Sequence, residues 1–82
     1  MNNFNIDDLV VIVNFDGMSL CDTKRLPNKA AVVMTSIKDN RLCYIYYLDD
    51  SSYIISKNKL RYAAESEIEK YKLEECMNKY NI

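Results

Sequence analysis

The chain contains no tryptophan and no histidine, and only one glycine and one proline among its 82 residues. Without histidine it lacks the side chain that most often acts as a general base near neutral pH and most often binds metals. A single glycine excludes the glycine-rich loops that hold nucleotide phosphates. The 11 basic and 12 acidic residues give a formal net charge of −1, so no overall positive field attracts nucleic acid or an anionic membrane. These absences predict a protein that is not an enzyme and takes no metal or cofactor.

Cysteine is also sparse. Cys21, Cys43 and Cys76 are odd in number and widely spaced, which predicts neither a disulfide framework nor a zinc site. We interpret them as reduced, buried thiols, except for Cys21, which lies in a predicted loop. The first residues do not resemble a secretory leader, and no apolar run approaches the ~18 residues of a membrane-spanning helix. The expected location is the cytoplasm, with no membrane partner.

The residues that are present, 49% of them hydrophobic, are typical of a folded chain and predict a single domain over 1–82 with a modest core. Residues 16–29 read as a long connection without a sustained period, and 57–60 as a tight helical turn. A polar turn at 38–41 predicts a hairpin between the second and third strands. The predicted strands, with a final extended piece, are 9–15, 30–37, 42–48, 53–56 and 61–62.

Residues 65–80 predict the only long helix, since they are rich in Glu, Lys, Leu and Met and contain no helix breaker. Its apolar residues do not form one straight stripe. Ile68 and Tyr71 lie on one flank, which predicts docking of the helix start. A second set follows the spacing i, i+3, i+4, i+7 and predicts a face that docks later or joins a homodimer. This set is Leu73, Cys76, Met77 and Tyr80.

The order of strand, long loop, hairpin, short strand, helical turn and extended end resembles that of small Src-homology-3-type barrels. Residues 53–68 (YIISKNKLRYAAESEI) also resemble the ending of such barrels in phages and mobile elements, which carry an "L-R-x-A-T-x-E-E-I" segment. Ala64 stands where threonine is usual, which costs roughly 1 kcal/mol of helix stability unless a neighbour compensates. The matching residues are Leu60, Arg61, Ala63, Glu67 and Ile68.

The resemblance implies a mainly β (α+β) fold: a small antiparallel barrel of about five strands over about 6–63, with a C-terminal helix over about 65–80. It also implies a protein-binding module that inhibits or modulates a host factor, such as a defence system. We expect the long connection and exposed strand tyrosines to contact the protein partner, although packing inside the barrel or under the helix is the simpler explanation for most tyrosines. The predicted contact residues are Leu20, Lys24, Arg25, Leu26, Tyr44, Tyr46 and Tyr53.

Basic residues support an alternative function, because six of them lie where a barrel brings the long loop and the helical turn together. Such a patch would bind nucleic acid through its phosphates. A solvated surface of mixed charge is the simpler interpretation, since acidic residues are equally frequent. The six residues are Lys24, Arg25, Lys29, Lys57, Lys59 and Arg61.

Overall fold

The computed structural model describes residues 4–36 and 41–80. It has a five-stranded antiparallel sheet and a C-terminal helix. The helix has the predicted bounds, and the predicted hairpin pairs as expected; residues 37–40, which include most of its predicted turn, lie outside the described residues. The elements in chain order are β1 (Leu9–Ile12), α1 (Leu20–Arg25), β2 (Ala30–Ser36), β3 (Leu42–Tyr46), β4 (Ser52–Ser56), a 3-10 turn (Lys57–Lys59), β5 (Leu60–Tyr62) and α2 (Glu65–Tyr80).

The strands lie in the order β4-β3-β2-β1-β5. β1 to β4 therefore form a meander, and the chain then returns to place β5 beside β1. Because β4 and β5 are the two ends of this ladder, the described strands form an open sheet, and the closed barrel expected from the sequence is not formed. The register shifts between Val33 and Thr35, a β-bulge in β2 opposite β3 that bends the sheet.

One face of the sheet, the inner face, carries the hydrophobic core. Alternate residues of each strand point to this face, and the N-terminal Phe4 and Leu26, which follows α1, pack against them. Phe15 and Met18 from the connection between β1 and β2 cover the core further. The buried residues of this core are Phe4, Val10, Ile12, Leu26, Ala31, Val33, Cys43, Ile45, Tyr47, Ile55 and Leu60.

The opposite face, the outer face, is only half covered. α2 contacts β2 there, and Val11 and Ala30 are buried on this side. The covered half explains why β1 is apolar on both faces, as the sequence predicts. On β3 and β4, the outer face carries Tyr44, Tyr46 and Ile54, and Ile54 is 61% exposed.

Hydrogen bonds to the Glu67 carboxylate fix the start of α2 to the sheet. The Ala64 carbonyl accepts the Ile68 N–H at 2.9 Å, which makes Ala64 the N-cap. Ala64 has no hydroxyl, but the Glu67 carboxylate accepts the Ala64 N–H at 2.8 Å, which is one half of a capping box. The Arg61 guanidinium donates to both Glu67 oxygens, at 2.7 and 2.9 Å. Glu67, held in place by Arg61 of β5, therefore anchors the start of α2, but it does not replace the hydroxyl that a threonine at position 64 would supply.

Two predictions about the first half of the chain are wrong. β1 ends at Ile12 instead of Phe15, and Val13 is exposed although its N–H still donates to the Lys59 carbonyl at 2.8 Å. The connection over 16–29 also contains a helix, α1. Ser19 caps it by accepting the Asp22 N–H at 3.2 Å. Six residues are too few to show a helical period in the sequence, so only the cap signals α1.

Candidate functional site

The predicted contact residues around α1 divide between surface and core. Leu20 is 80% exposed at the start of the helix, and Lys24 is exposed near its end. Leu26 is only 1% exposed and belongs to the core. Its prediction as a surface contact is therefore wrong, because the residue that ends α1 turns its side chain inward to anchor the helix.

Arg25 joins α1 to the sheet. Its guanidinium donates to the Asp22 carboxylate at 3.3 Å and to the hydroxyl of Tyr53, on β4, at 2.6 Å. The same guanidinium bonds the carboxylate of Asp49, in the turn before β4. The Tyr53 hydroxyl in turn donates to Asp22 at 2.8 Å. We call these four residues the Arg25 network. Two of the predicted contact residues, Arg25 and Tyr53, are therefore hydrogen-bonded to each other within the protein.

The Arg25 network shifts the ionisation of its members. The Tyr53 hydrogen bond, followed by that of Ser19, lowers the pKa of Asp22 from 3.8. The side-chain and backbone hydrogen bonds of Ser51 lower the pKa of Asp49. The Asp22 hydrogen bond raises the pKa of Arg25. Around neutral pH the network thus holds one cation between two carboxylates, a structural arrangement with no free acid or base for catalysis.

Tyr44 and Tyr46 lie on the outer face of β3, away from α1. The Tyr44 hydroxyl donates to Ser52 Oγ at 3.0 Å, and the Tyr46 hydroxyl donates to Asp50. Both rings are half-buried, and across the ladder Tyr44 lies opposite Ile54. Tyr44, Tyr46 and Ile54 define what we call the β3–β4 outer surface. Its hydroxyls are held in place, while Ile54 stays exposed in the half of the face that α2 does not cover.

The predicted contact residues consequently fall on two sides of the molecule. Leu20, Lys24 and the Arg25 network lie at α1, while Tyr44 and Tyr46 lie on the outer face of the sheet. The side-chain period of two separates them, because Tyr53 pairs with Ile45 on the inner face. A partner that binds the β3–β4 outer surface thus needs no contact with α1.

The six basic residues do not form one open patch. Lys57 is 7% exposed, Arg25 belongs to its network, and Arg61 is bound to Glu67. The Lys59 ammonium donates to the Asp16 carbonyl at 3.1 Å, which ties the β1–β2 connection to the 3-10 turn. Lys24 and Lys29 are the exposed members without such a contact among the described residues.

A cleft of about 260 Å³ lies between α2 and the residues that flank β2 and β3. Its apolar lining consists of Leu26, Ala30, Tyr47, Leu48 and Tyr71, and charges of both signs surround it. Its volume is below the usual range of small-molecule pockets. The charged lining residues are Lys29, Asp49, Glu67, Lys70 and Glu74.

The half-buried residues of α2 are Glu67, Ile68, Tyr71 and Glu74, spaced on one helical face, so the helix docks by the flank of Ile68 and Tyr71, as predicted. Leu73, Cys76 and Met77 are exposed, whereas the side chain of Tyr80 lies outside the described part. Cys43 is buried and Cys21 exposed, as expected, but Cys76 is exposed and its predicted burial is wrong. Leu73, Cys76 and Met77 of the second apolar set therefore do not dock on their own sheet.

Comparison with protein families, with curated proteins and with solved structures finds no match to this chain. Within residues 4–36 and 41–80, no group of three or more His, Cys, Asp or Glu side chains is arranged to hold a metal ion. Over the same residues, no helix combines the length and the apolar character needed to cross a membrane.

Proposed function

We propose that this protein is a non-enzymatic binding module that acts by protein–protein interaction through the β3–β4 outer surface. The observation that carries the proposal is that α2 covers one half of the outer face and leaves Ile54 exposed beside two tyrosines on the other half. Exposed aromatic and aliphatic side chains held on a rigid sheet are typical of interface centres. Tyr44 and Tyr46 have hydroxyls fixed by hydrogen bonds, so binding would order few side chains.

We also propose the finer fold, a Src-homology-3-type topology. The meander of four strands, the 3-10 turn and the return of β5 to the side of β1 support it. The resemblance of residues 53–68 to the ending of barrels from phages and mobile elements supports an origin there, and with it a host factor as the partner.

The test of this function is affinity capture from host cell lysate with three baits, the wild-type chain and two variants. We expect the wild-type chain to retain a partner that a Tyr44→Ala/Tyr46→Ala variant loses. The matched control is Leu73→Ala, which removes an exposed apolar side chain from α2 and should retain the same partner. Equal capture by all three baits contradicts the assignment of the surface.

A titration with short DNA and RNA at rising salt concentration tests the nucleic-acid alternative. Tight binding that weakens steeply with salt, and is lost in Lys24→Glu/Lys29→Glu, would replace the protein-binding function, because phosphate contacts release counterions. We expect no such binding, since the other basic residues of the predicted set are buried or already bonded.

A further inference from the structure

β4 is an edge strand whose outward backbone groups can be identified. At its two ends the flanking residues bond β3: the Tyr47 N–H donates to the Ser51 carbonyl, and the Lys57 N–H donates to the Arg41 carbonyl, both at 2.8 Å. Hydrogen-bonded and non-bonded pairs alternate along an antiparallel ladder. Every second residue of β4 therefore turns its N–H and C=O away from β3. These residues are Ser52, Ile54 and Ser56.

This edge carries none of the features that usually prevent strands from pairing with other chains. Residues 52–56 include no charge, no proline and no glycine, and the register shows no bulge between β3 and β4. The other edge differs. β5 has three residues, and its Arg61 is bound to Glu67 of α2. The sheet thus has one protected edge and one unprotected edge.

The sequence of β4, Ser-Tyr-Ile-Ile-Ser, has a serine at each end and a large aromatic or aliphatic side chain on either side of the central Ile54. We propose that β4 pairs antiparallel with β4 of a second copy of this chain, centred on Ile54. In that register Ile54 lies opposite Ile54, Ser52 lies opposite Ser56, and Tyr53 lies opposite Ile55. The outward-facing residues of one copy meet those of the other, so the Ile54–Ile54 pair and both Ser52–Ser56 pairs exchange two N–H···O bonds each, while the Tyr53–Ile55 pairs exchange none.

The side chains and charges of the two copies fit this register. Ile54 is 61% exposed on the outer face beside Tyr44, so pairing joins the two β3–β4 outer surfaces into one apolar row. The antiparallel direction brings the turn with Asp49 and Asp50 toward the end of the other β4, where the partly exposed Lys59 follows. The ends of the paired strands thus bring together opposite charges instead of like charges.

The expected dimer is weak. Two five-residue strands meet over about 17 Å, which gives an interface in the small, transient class. The inference is independent of the proposed function, because it concerns the backbone edge of β4 and would stand if no other protein bound the β3–β4 outer surface. Dimerisation through the exposed apolar face of α2 is the competing arrangement.

Sedimentation equilibrium from micromolar to millimolar protein tests the proposal. We expect a monomer–dimer equilibrium that Ile54→Lys weakens at least about tenfold, since like charges would then lie directly opposite each other. Leu73→Lys is the matched control, because Leu73 is equally exposed at 62%, and should leave the equilibrium unchanged. A wild-type chain that stays monomeric over the whole range, or a dimer that only Leu73→Lys disrupts, overturns the inference.

Two further measurements test the inference, and the first needs only the wild-type chain, so it decides the matter even if Ile54→Lys fails to fold. Amide hydrogen exchange of the wild-type chain should show protection of Ser52, Ile54 and Ser56 that increases with protein concentration; concentration-independent exchange at these amides contradicts strand pairing. If the variants fold, mixing Ile54→Lys with Ile54→Glu should restore association that neither shows alone, because the central pair then carries opposite charges.

Discussion

At the scale of single residues, the hydroxyls of Tyr47 and Tyr53 differ in their hydrogen bonding. Their rings meet edge to face, with centroids 5.8 Å apart. The Tyr53 hydroxyl bonds both Arg25 and Asp22, whereas the Tyr47 hydroxyl is buried without a hydrogen-bond partner in the described residues. Burial is the main cause that raises the pKa of both phenols. An unpartnered buried hydroxyl costs about 1–3 kcal/mol, so the Tyr47 hydroxyl offsets part of the stability that burial of the Tyr47 ring provides.

We therefore expect Tyr47→Phe to leave the free energy of unfolding unchanged or to raise it by about 1 kcal/mol, because the ring stays and the unsatisfied hydroxyl is removed. Urea denaturation measures this. Tyr53→Phe is the matched control and should lower the free energy of unfolding by about 1 kcal/mol, since it breaks two hydrogen bonds of the Arg25 network. A larger loss for Tyr47→Phe than for Tyr53→Phe would show that the Tyr47 hydroxyl has a partner.

At the scale of elements, the start of α2 is an incomplete capping box. Glu67 accepts the N–H of Ala64, but Ala64 has no side-chain oxygen to accept the amide of Glu67 in return. The missing half is a side-chain hydroxyl at position 64, such as a threonine would supply. Arg61 holds the Glu67 carboxylate in place from β5, so the site is already arranged for the second bond.

Ala64→Thr should raise the free energy of unfolding by about 1 kcal/mol, the usual value of an N-cap hydroxyl. Ala64→Val has the same branched shape without the hydroxyl and should give no such gain. Thermal and urea unfolding of the two variants measure the difference. If threonine and valine have equal effects, the N-cap does not limit the stability of α2.

Length and composition explain which elements the sequence could predict. α2 is a long segment of helix-forming residues without a breaker, and the hairpin has two apolar runs around a polar turn, so both are predicted correctly. α1 was missed because it is a single capped turn and a half, although Ser19 and Asp22 have the spacing of a capping box. The burial of the Leu26 side chain depends on tertiary packing, so no local sequence pattern could predict it.

At the scale of the whole molecule, three carboxylates tie separate parts of the chain together. Asp22 and Asp49 join α1 and the turn before β4 through Arg25, and Glu67 joins α2 to β5. Hydrogen bonds lower all three pKa values, that of Glu67 mainly through Arg61. Such groups contribute stability that is fully present above their unfolded pKa values and is lost as the pH falls through the folded ones.

The unfolding free energy should therefore fall once the pH drops below about 4.5, the ordinary pKa value of glutamate. Glu67→Gln should lower the free energy of unfolding at neutral pH and make its decline in acid shallower, because one of the three linked protons is removed. Urea denaturation at several pH values measures both effects. Glu69→Gln, at an exposed position of the same helix, is the control, and identical profiles for the two variants would contradict the role of Glu67.

The sequence indicated the strands, but it did not show which basic side chains are exposed and unbonded enough to bind a phosphate. The six basic residues looked like one set because strand order brings their segments together. Carboxylates at Asp22, Asp49 and Glu67 bind two of them, and packing buries Lys57. These pairings join residues up to 24 positions apart, so a local reading of charge could not find them.

The shortness of β5 has a consequence for how far any assembly of this chain can grow. A contact between unlike edges repeats in one direction and builds a filament, whereas a contact between two like edges consumes both and closes on itself. β5 has only three residues, and one of them is the bound Arg61, so β5 is a poor pairing partner for β4 of another molecule. Two copies joined at β4 would expose only their β5 edges at the outside. Pairing at β4 would thereby limit sheet extension to two copies and would leave no open β4 edge from which a fibrous aggregate could grow.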